Sequence, residues 1–224
     1  FQPFNLSFIN FIILPAFFLL LVYVKTRSKS IYRKKPYRRN LFIIGFLFGF
    51  GFYLSGIFWI SYSLTFDENF KFLIPFALIL IPLFLSLFTG ITTLIAGQFL
   101  NYSFISVLLF SASIASSDYI RGKILTGFPW NLWSYSLSWF TEILQTLNHL
   151  GLYAFNLITI SVFTMPVVLF FNYKLSKKIL ILSSFFLFVF FVYIYGTFSI
   201  NKNTVLINYL DKKAKVYTKV VSPN

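Results

Sequence analysis

The stretch Arg121-Gly-Lys-Ile-Leu-Thr-Gly127-Phe-Pro-Trp130, continuing through Asn131-Leu-Trp133-Ser-Tyr135, decides how the chain is read. Long apolar runs lie on either side of it. Here two cations are followed by a Gly-Phe-Pro-Trp turn, and then by closely spaced aromatics without formal charge until Glu142. Pro129 pushes Phe128 towards extended backbone and Gly127 permits a tight bend, so a helix arriving here has to stop. Indole and phenol rings suit the headgroup level of a bilayer, where one edge is wet and the other apolar. Residues 121–148 are therefore expected to form an interfacial loop at the mouth of a membrane bundle.

Working outward, the composition agrees. Of 224 residues, 58% are hydrophobic and only 11% charged, against roughly 25% charged in a soluble domain. The expected class is an all-α polytopic membrane protein with about six transmembrane helices. A net charge of +14 would suggest nucleic acid in a soluble chain. Here the cations fall in loops between spans, so membrane topology explains them better and no nucleic-acid partner is expected. There is no cysteine, which removes disulfides, zinc-thiolate sites and a cysteine nucleophile from these residues. No metal or other cofactor is expected.

The spans are expected at about 4–24, 41–64, 72–97, 104–120, 150–171 and 179–196. Between the first two, Lys25, Arg27, Lys29, Arg33, Lys34, Lys35, Arg38 and Arg39 come without an acid. Short basic loops resist translocation, which assigns this loop to the cytoplasm; contact with anionic lipid is the lesser reading. In the second span Gly45, Gly49, Gly51 and Ser55 provide small residues that let helices approach closely, and Trp59 lies near its outer end. Pro75 and Pro82 predict kinks in the third. Residues 124–141 are long enough to span, but that would put Lys174, Lys177 and Lys178 outside. The positive-inside rule favours the interfacial reading.

After Thr197 the chain changes character. Residues 201–211 are mixed, and Lys215-Val-Tyr-Thr-Lys-Val-Val-Ser-Pro-Asn224 reads as a strand entering a turn. A lone strand is not stable, so a soluble domain is expected to follow.

Asp118-Tyr-Ile-Arg-Gly-Lys-Ile-Leu-Thr-Gly-Phe-Pro-Trp-Asn-Leu-Trp-Ser-Tyr135 resembles the loop segment of bacterial apolipoprotein N-acyltransferases. Gly49-Phe-Gly-Phe-Tyr-Leu-Ser-Gly-Ile-Phe-Trp59, Leu85-Ser-Leu-Phe-Thr-Gly90 and the opening Gln2-Pro-Phe-Asn-Leu6 are similar to motifs of the same family, in the same order. The closing Val220-Val-Ser-Pro-Asn224 resembles the first strand of its nitrilase-like domain. The resemblance implies helices two to seven of an eight-helix bacterial inner-membrane protein. Residues 199–224 would then be the linker and first strand of a periplasmic nitrilase-like domain otherwise missing here. It also implies the reaction: a phospholipid donates an acyl chain to a cysteine thiolate, and the thioester passes it to the α-amine of a lipoprotein's diacylglyceryl-cysteine. The family's Glu-Lys-Cys triad cannot be carried over to a chain without cysteine, so these residues alone are expected to be inactive.

The candidate substrate-binding residues are Asp118, Arg121, Gly127, Phe128, Pro129, Trp130, Tyr135 and Trp59. Two readings stand for most of them. Phe128, Pro129 and Trp130 either line a lipid entry or anchor and shape the loop. Arg121 either holds a lipid phosphate or pairs with Asp118 three residues earlier on the same helix face. Asp118 reads as structural, His149 as an interfacial residue, and Asn156 as packing. Rival functions are a small-solute transporter, disfavoured by the lack of mid-membrane ionisable residues, and a non-enzymatic lipid-binding scaffold. Phospholipid, a diacylglyceryl-lipoprotein and membrane lipids are the expected partners. Oligomeric state is not legible in the sequence.

Overall fold

A computed structural model of the chain describes residues 6–28, 37–124 and 129–213. Among them there are helices and no strands. A 3-10 turn at Ser7–Ile9 leads into α1 (Asn10–Ser28), followed by α2 (Tyr37–Ile57), α3 (Ile74–Ala96) and α4 (Phe104–Arg121). The short α5 (Thr141–Leu144), then α6 (Leu147–Thr164) and α7 (Leu175–Lys213), complete the order. Among the described residues, five helical stretches are long and apolar enough to cross a membrane, namely those built on α1, α2, α3, α6 and α7. The α4 helix has the length of a short span, but its five serines, Asp118 and Arg121 make it too polar to qualify.

Several boundaries differ from those expected. The second span leaves α-helical geometry at Ile57 and continues as a 3-10 run, Phe58–Thr65. Pro75 produces no kink, because it falls in the first turn of α3, where a missing N–H leaves no bond unmade. Pro166 likewise opens the 3-10 turn Met165–Phe170 that closes the fifth span. The α6 helix is broken near its start by Gly151, whose φ of 72° suits a residue without Cβ. The sixth span does not end at Gly196. The α7 helix runs on to Lys213, since residues 197–213 contain neither glycine nor proline to stop it. The strand expected at 215–224 lies outside the described residues, as does most of the basic loop.

The core joins α1, α2, α4, α6 and the loop after α4, around Leu14, Phe18, Phe110, Trp133, Ile160 and Phe163. The closest seam is between α2 and α3. A Cβ added at Gly49 would lie 2.8 Å from Thr89 Oγ1 and 3.2 Å from Ser86 Cα, whereas one at Gly51 would meet nothing within 4 Å. Thr93 Oγ1 donates to the Leu41 carbonyl across the seam at 2.9 Å. Small residues and interhelical hydrogen bonds are what bring membrane helices together, because lipid tails compete with any apolar contact. This seam fixes where the 3-10 extension carrying Trp59 stands beside the loop after α4.

Candidate functional site

The last turn of α4 presents Asp118 and Arg121 to the same side, three residues apart. They form a buried pair, Arg121 Nη2 donating to Asp118 Oδ1 at 3.0 Å, with only 4% and 2% of their surfaces exposed. A buried pair is tolerable only when its remaining hydrogen-bonding atoms find partners. Asn156 Nδ2, from the middle of α6, donates to Asp118 Oδ2 at 2.9 Å. Arg121 Nη1 donates to the Trp130 carbonyl at 2.8 Å, and the guanidinium carbon lies 5.2 Å from the centroid of the buried Tyr53 ring. A cation over an aromatic face away from water is stabilised by about 2 kcal/mol.

The same network fastens the loop. Asn156 Oδ1 accepts from the Ser134 backbone N–H at 3.0 Å, so one amide joins the α4 carboxylate to the loop backbone. Asn131, at φ 59°, occupies the left-handed region that asparagine tolerates better than most residues. Its Nδ2 donates to the Phe52 carbonyl at 3.1 Å, and the amide sits where a Cβ at Gly56 would be. Tyr135 Oη donates to the Pro129 carbonyl at 3.0 Å, and Ser7 Oγ to the Ser136 carbonyl at 2.5 Å. The Tyr135 phenol is pushed above its usual pKa, chiefly by burial and then by the neighbouring Tyr153.

The loop aromatics divide. Trp133 is 4% exposed and stacks on Phe52 with ring centroids 4.4 Å apart. Trp130 remains 42% exposed and faces Trp59, itself 50% exposed, at 5.2 Å between centroids and 33° between planes. Buried polar bonds on one side thus hold a half-exposed pair of indoles on the other.

The structure therefore brings together Asp118, Arg121, Pro129, Trp130, Tyr135 and Trp59. Gly127 and Phe128 lie outside the described residues. Of the two readings of Arg121, the geometry realises the pair with Asp118, and burial turns the guanidinium towards the loop. The sequence assigns Asn156 to packing and gives Asn131 no role of its own. The available signal was an amide in the middle of an apolar helix, which a membrane interior tolerates only with partners. Among the described residues no three His, Asp or Glu gather as a metal site.

Comparison with known proteins bears on the family of the chain. The chain is 33% identical over 168 residues to an apolipoprotein N-acyltransferase of Bradyrhizobium diazoefficiens, covering 75% of the chain and 30% of that protein. The corresponding protein of Rhodopseudomonas palustris is 33% identical over 126 residues, covering 56% of the chain and 24% of that protein. That of Rickettsia prowazekii is 30% identical over 203 residues, covering 90% and 40%. The chain spans less than half the length of these relatives. The apolipoprotein N-acyltransferase N-terminal domain matches residues 1–165, which include every helix from α1 to α6 and the whole polar network. This chain, a multi-pass membrane protein, belongs to the apolipoprotein N-acyltransferase family.

Proposed function

We propose that these residues form the lipid-facing membrane part of an apolipoprotein N-acyltransferase in a bacterial inner membrane, with the aromatic loop on the periplasmic side. In that reaction a thiolate attacks a phospholipid ester. The acyl–oxygen bond breaks, a lysophospholipid leaves with a proton, and a thioester forms. The α-amine of a diacylglyceryl-cysteine then attacks the thioester, giving an amide and returning the thiolate. None of the 224 residues is cysteine, so the thiolate has to come from outside them and they are inactive alone. Their part is to admit and orient lipid chains beneath the reacting centre.

The observation that carries this reading is the indole pair Trp59–Trp130, half-exposed and immobilised from behind by Arg121 on the Trp130 carbonyl. A rigid apolar edge beside the headgroup level is suited to guiding an acyl chain, since it restricts the chain without offering a competing polar group. The test is acyl transfer from phospholipid to a diacylglyceryl peptide by the protein that contains this chain. Trp130→Ala and Trp59→Ala are expected to raise the KM for phospholipid more than they lower kcat. No transfer under conditions where a relative is active, or equal losses in kcat without change in KM, would set the reading aside.

A further inference from the structure

The two ends of the bundle differ in charge. At the end away from the aromatic loop, α1 and α3 finish and α2, α4 and α7 begin. The turn between α3 and α4 is the hub. Lys25, near the end of α1, donates Nζ to the Leu100 carbonyl at 2.6 Å. A Cβ built at Gly97 would lie 3.0 Å from Leu41 of α2. The backbone N–H of Phe104, which opens α4, donates to Tyr173 Oη at 3.0 Å, two residues before α7. Around this turn α1 brings Lys25 and Arg27, α2 brings Arg38 and Arg39, and the start of α7 brings Lys174 and Lys177. The five carboxylates of the chain are elsewhere: Asp67 and Glu68 beyond α2, Asp118 at the end of α4, Glu142 in α5 and Asp211 far along α7.

The contacts of these cations hold them without cancelling their charge. Lys25 and Lys178 donate to backbone carbonyls, those of Leu100 and Leu169. The Arg27 guanidinium carbon is 5.1 Å from the Tyr23 ring centroid, and Lys177 Nζ is 4.2 Å from that of Tyr173. Arg27, Arg38, Arg39, Lys174 and Lys177 are all exposed. Topology accounts for the sign of each basic connection by itself. It does not remove the attraction that remains once both connections meet around one turn.

Depth decides what that attraction acts on. Tyr23 and Tyr102 are exposed at this end, and tyrosines suit the headgroup level. Beside the cations stand Phe99, Phe170 and Leu175, exposed by 64%, 68% and 72%. An acidic protein could reach the cations only by stripping lipid from these apolar side chains. A phospholipid lays its chains against them and its phosphate against the cations in a single pose.

We propose that this basic end, between α1, α2 and the start of α7, binds phospholipids with a net negative headgroup in preference to zwitterionic ones. Arg38 and Arg39 supply forked donors that match phosphate, and Lys174 and Lys177 supply point charges. The site is at the opposite end from the Trp59–Trp130 pair and does not depend on the acyl-transfer reading.

The experiment is native mass spectrometry of the protein that contains this chain, in detergent with equimolar phosphatidylglycerol and phosphatidylethanolamine of the same acyl chains. Expected is several-fold more phosphatidylglycerol retained, with the preference falling at high salt, which screens exposed charges. The preference should vanish when Arg38→Gln, Arg39→Gln, Lys174→Gln and Lys177→Gln are combined. It should largely persist in Arg38→Lys with Arg39→Lys, and fully in Lys202→Gln, far along α7. Should the fourfold variant fail to fold, the Arg38/Arg39 and Lys174/Lys177 double variants decide, each losing part of the preference. Equal retention of the two lipids overturns the proposal, as does a preference that survives both double variants or is lost with Lys202. Displacement of phosphatidylglycerol by an equal concentration of glycerol 1-phosphate would reveal a site for free phosphate and overturns it too.

Discussion

The α2–α3 pair and the α6–α7 pair solve the same problem in opposite ways. On α2, Gly45 and Gly49 face Thr93, Thr89 and Ser86, so backbone meets side chain directly and a threonine bonds across the seam. On α7 the corresponding middle stretch is Ser183-Ser-Phe-Phe-Leu-Phe-Val-Phe-Phe191, bulky and chemically like the lipid around it. The contrast teaches that apolarity alone does not hold a membrane helix closely along its length. Small residues and satisfied polar groups do; α7 comes in near Lys178, Ile181 and Phe185 and again at Tyr195 and Gly196, and is largely exposed between.

The largest test of that contrast lies where α4 joins the tight half of the molecule. Asp118→Ala leaves the Arg121 guanidinium buried without its carboxylate and is expected to cost about 3–5 kcal/mol, read as unfolding free energy in micelles or nanodiscs. Replacing the pair together, Asp118→Leu with Arg121→Met, should restore much of that stability. It also frees the Trp130 carbonyl, so Trp130 emission should shift while the fold persists. An Asp118→Ala protein as stable as wild type would mean the pair is not buried as described.

Next in size is a matched pair of substitutions on one helix. Gly49→Leu drives a side chain into Thr89 and should destabilise by about 1–3 kcal/mol. Gly51→Leu, two residues on and facing open space, should stabilise by up to about 1 kcal/mol through helix propensity. Equal effects would deny that the seam depends on glycine. Phe186→Ala on α7, where the side chain is 73% exposed, should change stability by less than about 0.5 kcal/mol.

Only part of this was legible in the sequence. Five of the six expected spans were, because long uncharged runs have few other readings, and so was the Gly45–Gly49 seam; the run at 104–120 forms a helix too polar to qualify. The outward Trp130 could not be told from the inward Trp133, since lipid and protein interior are equally apolar and the pattern of hydrophobic residues is silent between them. Gly51 shows the same blindness: small and suitably spaced, yet against nothing. The bridging role of Asn156 needs two elements 38 and 22 residues away from it, which no local spacing displays. The run of α7 past Gly196 is not legible from a change to mixed composition after Thr197, although nothing in that stretch breaks a helix.

A pH-dependent effect sharpens the description of the loop. The Tyr135 phenol, with its folded pKa raised by burial, contributes stability that is complete below the unfolded value of about 10. That contribution is lost as pH rises through the raised folded value. Tyr135→Phe should flatten this alkaline limb and lose about 1 kcal/mol at neutral pH with the bond to Pro129. An unchanged alkaline limb would show the phenol to be solvated.

At 39 residues and about 1.5 Å per residue, α7 is about 58 Å long, nearly twice the hydrocarbon thickness of about 30 Å. Mechanically it is a stiff rod, held beside the bundle near Lys178 and again at Gly196. Each degree of tilt at Gly196 carries the far end sideways by about 0.4 Å. Its end at Lys213 lies about 25 Å along the axis beyond the close approach at Gly196, so a tilt of the rod shows there most.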